Sequence, residues 1–170
     1  MKILHLITTL ERGGAEKQLV ILARNQRLLG QQIGAAALKG DLELKFELES
    51  DGINVFDKLR NKPFPFQILL LRKLIKKERF DLLHMHLPRS EVLGCLASLG
   101  LRILLISTRH NTESFLPGRY QFISSIFSKF VTRRFGYVIS ISNSVLSFLL
   151  HKKEIARHVK TITIPYGFDN

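Results

Sequence analysis

Short runs made almost wholly of apolar residues, such as Ile103-Leu104-Leu105-Ile106 and the near-terminal Ile3-Leu4-His5-Leu6-Ile7, recur along this chain between longer segments of helical spacing. A strand that is apolar on every residue is buried on both faces, which helices on both sides of a parallel sheet provide. The alternation predicts an α/β doubly wound sheet. Strands are expected at Lys2 to Thr8, Gln32 to Leu38, Asn54 to Phe56, Leu82 to Met85, Ile103 to Thr108, Tyr137 to Ser140 and Thr161 to Ile164. Helices are expected at Ala15 to Leu29, Phe66 to Arg79, Ser90 to Leu99, Tyr120 to Phe135 and Asn143 to His151, with a shorter one within Asp41 to Ser50. Gly30, Gly100 and Gly136 stop three of them.

In such a sheet, ligands bind outside the carboxyl ends of the strands, where the strand order reverses. With the common order 3-2-1-4-5, the loops after the first and fourth strands flank that crevice. The first of these loops, Thr9-Leu10-Glu11-Arg12-Gly13-Gly14, leads into a helix. Paired glycines at a helix start suit either a tight turn or a backbone amide cradle for phosphate or carboxylate. The second carries His84-Met85-His86-Leu87-Pro88-Arg89. His84 and His86 point the same way from a strand, a spacing that suits metal. No third and fourth ligand accompany them, so no metal is expected. His86, nearer the strand end, is the better candidate for ligand contact.

The fifth strand runs into Thr108-Arg109-His110-Asn111-Thr112-Glu113, the densest polar cluster in the chain. Here His110 can donate or accept hydrogen bonds, Asn111 can bind hydroxyls, and Glu113 can act as a base or grip a sugar; Arg109 joins them as a candidate. After the sixth strand, Ser142 suits a helix cap, with free amides beside it facing the crevice. There is no Gly-x-x-x-x-Gly-Lys-Ser/Thr loop, no complete dinucleotide fingerprint and no Gly-x-Ser-x-Gly elbow.

A length of 170 residues fits one domain, and the lone cysteine, Cys95, excludes a disulfide framework or thiolate cluster. The first residues imitate a signal peptide only briefly, and no apolar stretch approaches the roughly 20 residues of a membrane span. A net charge of +12 calls for an anionic partner. Its cations gather at Leu71 to Arg79 and Arg119 to Arg134, among apolar residues at helical spacing, whereas no nucleic-acid recognition element is visible. An anionic membrane surface is therefore the expected partner, and nucleic acid is not.

Together, Gly13-Gly14-Ala15-Glu16, Asp81-Leu82-Leu83-His84-Met85-His86, Ser107-Thr108-Arg109-His110, Val138-Ile139-Ser140-Ile141-Ser142 and the closing Ile164-Pro165-Tyr166-Gly167-Phe168-Asp169 resemble the amino-terminal domain of GT-B fold, family 4 retaining glycosyltransferases. The resemblance implies a Rossmann-like acceptor-side domain over residues 1–164, the start of an interdomain linker at 165–170, and a carboxyl-terminal donor-binding domain that is absent. It implies transfer from a nucleotide-diphosphate sugar to a lipid-linked or cell-envelope glycan acceptor, with no cofactor and no obligatory metal, by a cytoplasmic chain peripheral to the inner membrane face. By the same resemblance, His110 would stand at the reaction centre, Gly13 and Gly14 near the donor diphosphate or acceptor, and Gly167 in the passage between domains. Tyr166 departs from the asparagine often found there. A half enzyme is expected to be inactive alone, requiring a missing domain or partner chain; the alternative is a non-catalytic membrane-docking or acceptor-binding subunit.

Overall fold

The computed structural model describes residues 1–112, 114 and 121–166. Seven strands form one parallel sheet: β1 (Lys2–Ile7), β2 (Gln32–Ala37), β3 (Asn54–Phe56), β4 (Leu82–His86), β5 (Leu104–Arg109), β6 (Tyr137–Ser140) and β7 (Lys160–Thr163). Their order is β3-β2-β1-β4-β5-β6-β7, the expected reversal between β1 and β4 extended by two strands. The connecting helices are α1 (Gly14–Leu28), α2 (Lys45–Ser50), α3 (Phe64–Glu78), α4 (Pro88–Ala97), α5 (Gln121–Thr132) and α6 (Asn143–His151).

Several bounds differ from the sequence-based expectation for local reasons. Helix α3 starts two residues early because Pro65 falls at its second position, where a missing N–H costs nothing, and α4 starts at Pro88 on the same principle. Helix α2 keeps only the last six residues of the expected segment. Helix α5 stops at Thr132, and Phe135 turns back to hydrogen-bond the Thr132 carbonyl at 2.8 Å. Its expected first residue, Tyr120, lies outside the described residues.

The period of two along each strand sorts side chains into two cores. Leu4, Leu6, Leu83, Met85, Leu105 and Val138 pack under α3, α4, α5 and α6. On the opposite face, Ile3, Ile7, Ile33 and Leu82 pack under α1 and α2. Helix α4 rides close to the sheet at Gly94, where a Cβ would stand 2.4 Å from the Met85 sulfur.

Right-handed crossovers place all helices after β3 on one face. Among the described residues, the α1 side of β5, β6 and β7 is therefore left without a helix, and Leu104, Tyr137, Ile162 and Ile164 are exposed there. Helix α5 packs Val131 and Phe127 on the core but also buries Ser124, Ser128 and Thr132, while Ile123, Ile126 and Phe130 are exposed.

Candidate functional site

At the carboxyl ends of β1, β4 and β5, the α1 side of the sheet carries polar groups where the rest of that face is apolar. The β1–β4 register sets His5 directly beside His84, and β4 places His86 one step further toward the strand end. All three are buried, and His110 follows just past β5. Their rings form a continuous row. His5 Nε2 lies 2.8 Å from Gln26 Oε1 on α1, and His5 Nδ1 lies 3.1 Å from His86 Nε2. His86 Nδ1 is 3.0 Å from His110 Nε2, and His110 Nδ1 is 2.8 Å from the Tyr166 hydroxyl.

Burial favours the uncharged ring, so it lowers imidazole pKa values. It brings His5 down to about 4, against an opposing lift from the Gln26 hydrogen bond, and His110 likewise to about 4. For His84 and His86 it acts in the same direction, reinforced by the neighbouring histidines, and both lie well below the ordinary 6.5. The row is therefore neutral at physiological pH. The Tyr166 hydroxyl is pushed up by burial and then by the negative charge of Glu16.

Glu16 gives the glycine loop its shape. Gly13 is the N-cap of α1, with an extended backbone, and the Glu16 side chain folds back so closely that a Cβ on Gly13 would stand 2.3 Å from its Oε2. The Thr9 hydroxyl donates to Glu16 Oε1 at 2.6 Å. The helix start thus already faces a carboxylate, the type of charge its amides favour. A Cβ on Gly14 meets nothing within 4 Å among the described residues. Gly13 serves a close approach within the chain, and Gly14 opens α1.

Leu87, which follows His86, has φ 75° and ψ 151°, a conformation unfavourable for a side chain with a Cβ. The Ser90 hydroxyl braces this turn by donating to the carbonyls of His86 and Leu87. Strain of this kind is held where the surrounding packing fixes it, here at the strand end that delivers His86.

The expected site residues separate into groups. His86 and His110 come together with Tyr166, and Gly13 and Gly14 stand apart from those rings at the start of α1. Asn111 is half-buried beside His110. Arg109 turns to the opposite face, where it is 2% exposed and its guanidinium forks onto Glu91 and reaches Glu154 at 3.5 Å. Ser107 donates to the same Glu91 carboxylate. That ion pair ties β5 to α4 and α6, and it holds Arg109 on the face of the sheet opposite His86 and His110. The Ser142 hydroxyl accepts from the Val145 amide at 3.2 Å and is engaged in capping α6. Glu113 and Gly167 lie outside the described residues. His5, Gln26, Glu16 and Thr9 were not expected at the site; the signal for His5 was its alternation with Ile3 and Ile7, on the face that β1 turns toward α1.

The candidate ligand atoms of His5, His84 and His86 lie within 4.8 Å of one another. The fold thus brings His5 to the His84–His86 pair as a third imidazole, which the sequence did not place there. His5 and His86 hydrogen-bond each other, and the His84 and His86 rings stack at 4.3 Å. Beside the row is a cavity of about 410 Å³ walled by Ile21, Leu22, Ile106, Ile139 and Ile164, with Gln26, His84, His86, His110 and Tyr166 among its polar lining. A larger one, about 820 Å³, lies at the β3 edge between Phe56 and α3, ringed by exposed lysines and far from these groups.

A parallel Rossmann-like sheet of this order, with its polar side chains gathered at the strand ends, matches the amino-terminal halves of GT-B glycosyltransferases. The HepE protein of Anabaena, solved with UDP-glucose, superimposes with a TM-score of 0.80 at 23% identity over 99% of this chain and 44% of its own. A glycosyltransferase from Rickettsia africae gives 0.75 at 22% identity over 99% of this chain and 43% of its own. The chain belongs to Glycosyltransferase Family 4, which it matches over residues 12–170. Among curated proteins it is 27% identical to a Campylobacter jejuni α-1,4-N-acetyl-D-galactosaminyltransferase whose name specifies an undecaprenol-diphosphate-linked glycan as substrate. That alignment takes in 100% of this chain and 47% of the relative. The chain thus spans about half the length of the relatives it matches. Among the described residues, no helix is long and apolar enough to cross a membrane.

Proposed function

We propose that this chain is the acceptor-side half of a retaining glycosyltransferase that moves a sugar from a nucleotide-diphosphate donor to a lipid-linked glycan. The observation that carries this reading is the placement of His86, His110 and Tyr166 at the reversal point of the sheet, facing an apolar-walled cleft. His110 presents a neutral ring there for a sugar hydroxyl, Asn111 offers further hydrogen bonds, and Gly14 leaves the helix start approachable. Departure of the diphosphate is assisted chiefly by preorganised dipoles and charges, with no side-chain nucleophile. The reaction needs no resident metal, and chelators leave its rate unchanged. The exposed part of the β5 to β7 face outside the cleft, at Leu104, Tyr137 and Ile162, supports a further polypeptide, domain or partner, packing against this half and bringing the donor-binding residues.

The lipid-linked acceptor is supported by the Campylobacter relative's name and by α5. Ile123, Ile126 and Phe130 are each more than half exposed on one side of that helix, and Lys129 and Arg133 flank them. Such a face suits the headgroup region of an anionic bilayer on the inner side of a membrane. The same helix favours a second reading, a docking subunit that carries no chemistry of its own.

Flotation with anionic vesicles, followed by transfer assays on a polyprenyl-diphosphate-linked acceptor, separates the two. The transferase reading expects acceptor binding by this chain, no turnover alone, and transfer once a donor-binding half is supplied. His110→Ala should then lower transfer at least tenfold without changing vesicle binding. Vesicle binding with no acceptor binding and no transfer in any reconstitution selects the docking subunit.

A further inference from the structure

The row of rings between α1 and the cleft has a direction that follows from the number of protons available. A neutral imidazole has one N–H and one lone pair, so each hydrogen bond along the row fixes the next. Gln26 Oε1 can only accept, and His5 therefore donates to it from Nε2. His5 Nδ1 is left as the acceptor for His86 Nε2–H, and His86 Nδ1 as the acceptor for His110 Nε2–H. His110 Nδ1 is then a lone pair, and the Tyr166 hydroxyl donates to it.

We propose that Gln26, acting through His5 and His86, sets the tautomer and orientation of His110, so that its ring meets the cleft with Nδ1 as a hydrogen-bond acceptor. These three are positioning residues for His110: Gln26 and His86 border the cavity and His5 lies behind them, and each sets the ring that follows it. The row ends on an amide, which takes up no proton near neutral pH, so it orients and does not conduct. His84 stands outside it. Its Nε2 bonds the Thr108 hydroxyl, its Nδ1 has no hydrogen-bond partner among the described residues, and its ring stacks on His86 as a steric backing. A ligand hydroxyl entering the cleft takes the place of the Tyr166 hydroxyl on His110 Nδ1, so the site selects a group that donates.

The consequence for ligands rests on the proposed role of His110, but the row itself can be tested without any ligand. Long-range ¹H–¹⁵N correlation spectra of the labelled 170-residue chain at pH 7.5 read the protonated nitrogen of each ring. The expected result is Nε2–H at His5, His86 and His110. Gln26 is half-buried on α1, so its polar replacements leave the cores intact. Gln26→Lys puts a donor where the acceptor stood, and all three rings should move to Nδ1–H; Gln26→Glu retains an acceptor and should leave them unchanged.

Nδ1–H at His110 in the unaltered chain overturns the proposal, as does an unmoved His110 in folded Gln26→Lys. Should that variant not fold, the spectrum of the unaltered chain decides alone. In a reconstituted transferase, Gln26→Lys should lower transfer at least tenfold and Gln26→Glu should restore it. Expected tautomers with no transfer in any reconstitution would overturn the functional reading and leave the positioning row standing.

Discussion

Four imidazoles held neutral inside the fold should make this protein unusually sensitive to mild acid. The perturbation is a change from pH 7 to pH 5. In the unfolded chain a histidine has its ordinary pKa of about 6.5 and takes up a proton over this range, whereas His5 and His110 in the fold wait until about 4. The unfolded state therefore binds more protons between about pH 6.5 and 4, and stability is lost as the pH falls through that window. For a pKa difference of this size each ring removes about 2 kcal/mol between pH 7 and pH 5, or about 4 kcal/mol for the pair. His84 and His86 are displaced in the same direction and add to the loss. Against a total stability of about 5–15 kcal/mol this is a large fraction. Urea unfolding followed by circular dichroism measures it: with a slope of about 2 kcal/mol per molar, the midpoint should fall by at least about 2 M between the two pH values. His110→Gln should flatten the dependence by close to one proton, about 1.4 kcal/mol per pH unit between pH 6 and 4.5. A midpoint that stays constant from pH 7 to pH 5 would show that the rings are solvated or already charged, and would refute the reasoning.

Two further outcomes follow from packing. Glu91→Leu leaves the buried Arg109 guanidinium with Glu154 at 3.5 Å and without its fork partner, and should cost about 3–5 kcal/mol in denaturant unfolding; adding Arg109→Met should recover much of that loss, and a single-variant cost under about 1 kcal/mol would argue against a buried pair. The glycines of the first loop should respond with opposite signs in thermal unfolding: Gly13→Ala drives a Cβ into the Glu16 carboxylate and destabilises, whereas Gly14→Ala enters open space in the first turn of a helix and stabilises by up to about 1 kcal/mol.

Every expected strand forms within two residues of its expected ends, and in β1 and β4 the continuous apolar run does mark burial on both faces. In β5 it does not, because no helix among the described residues covers its α1 side and Leu104 is exposed there. The site was legible only in part. Alternation along β5 separates Thr108, which faces α1, from Ser107 and Arg109, which face α4; applied to the polar cluster, that alternation alone would have removed Arg109 from the cleft. His5 is different. In the sequence it looks like an interruption of an apolar run, and its partnership with His86 depends on a pairing between strands 81 residues apart. Gln26 likewise becomes meaningful only when α1 is laid over that pairing. Tyr166 was visible as a departure from the family's usual asparagine, but its hydroxyl acquires a role only through the 2.8 Å contact to His110. Helix α5 turns Val131 and Phe127 to the core as the usual rule expects, yet it also buries Thr132 and Ser124, which meet the Ala156 amide and the Glu154 carboxylate beneath it, and leaves Ile123, Ile126 and Phe130 exposed.

The histidine row also bears on how the chain finds its fold. Parallel strands pair through evenly spaced hydrogen bonds that distinguish one alignment from the next only weakly, and a slip by one residue turns every side chain to the other face. If β1 slipped by one against β4, His5 would be thrust among Leu83, Met85 and Leu93 in an apolar core, and the Gln26 amide would lose its partner. Leu4 and Leu6 would meanwhile face the polar end of the sheet. The imidazoles thus act as an alignment key for the two central strands, and the groups that define the cleft also specify the register on which the rest of the sheet is laid.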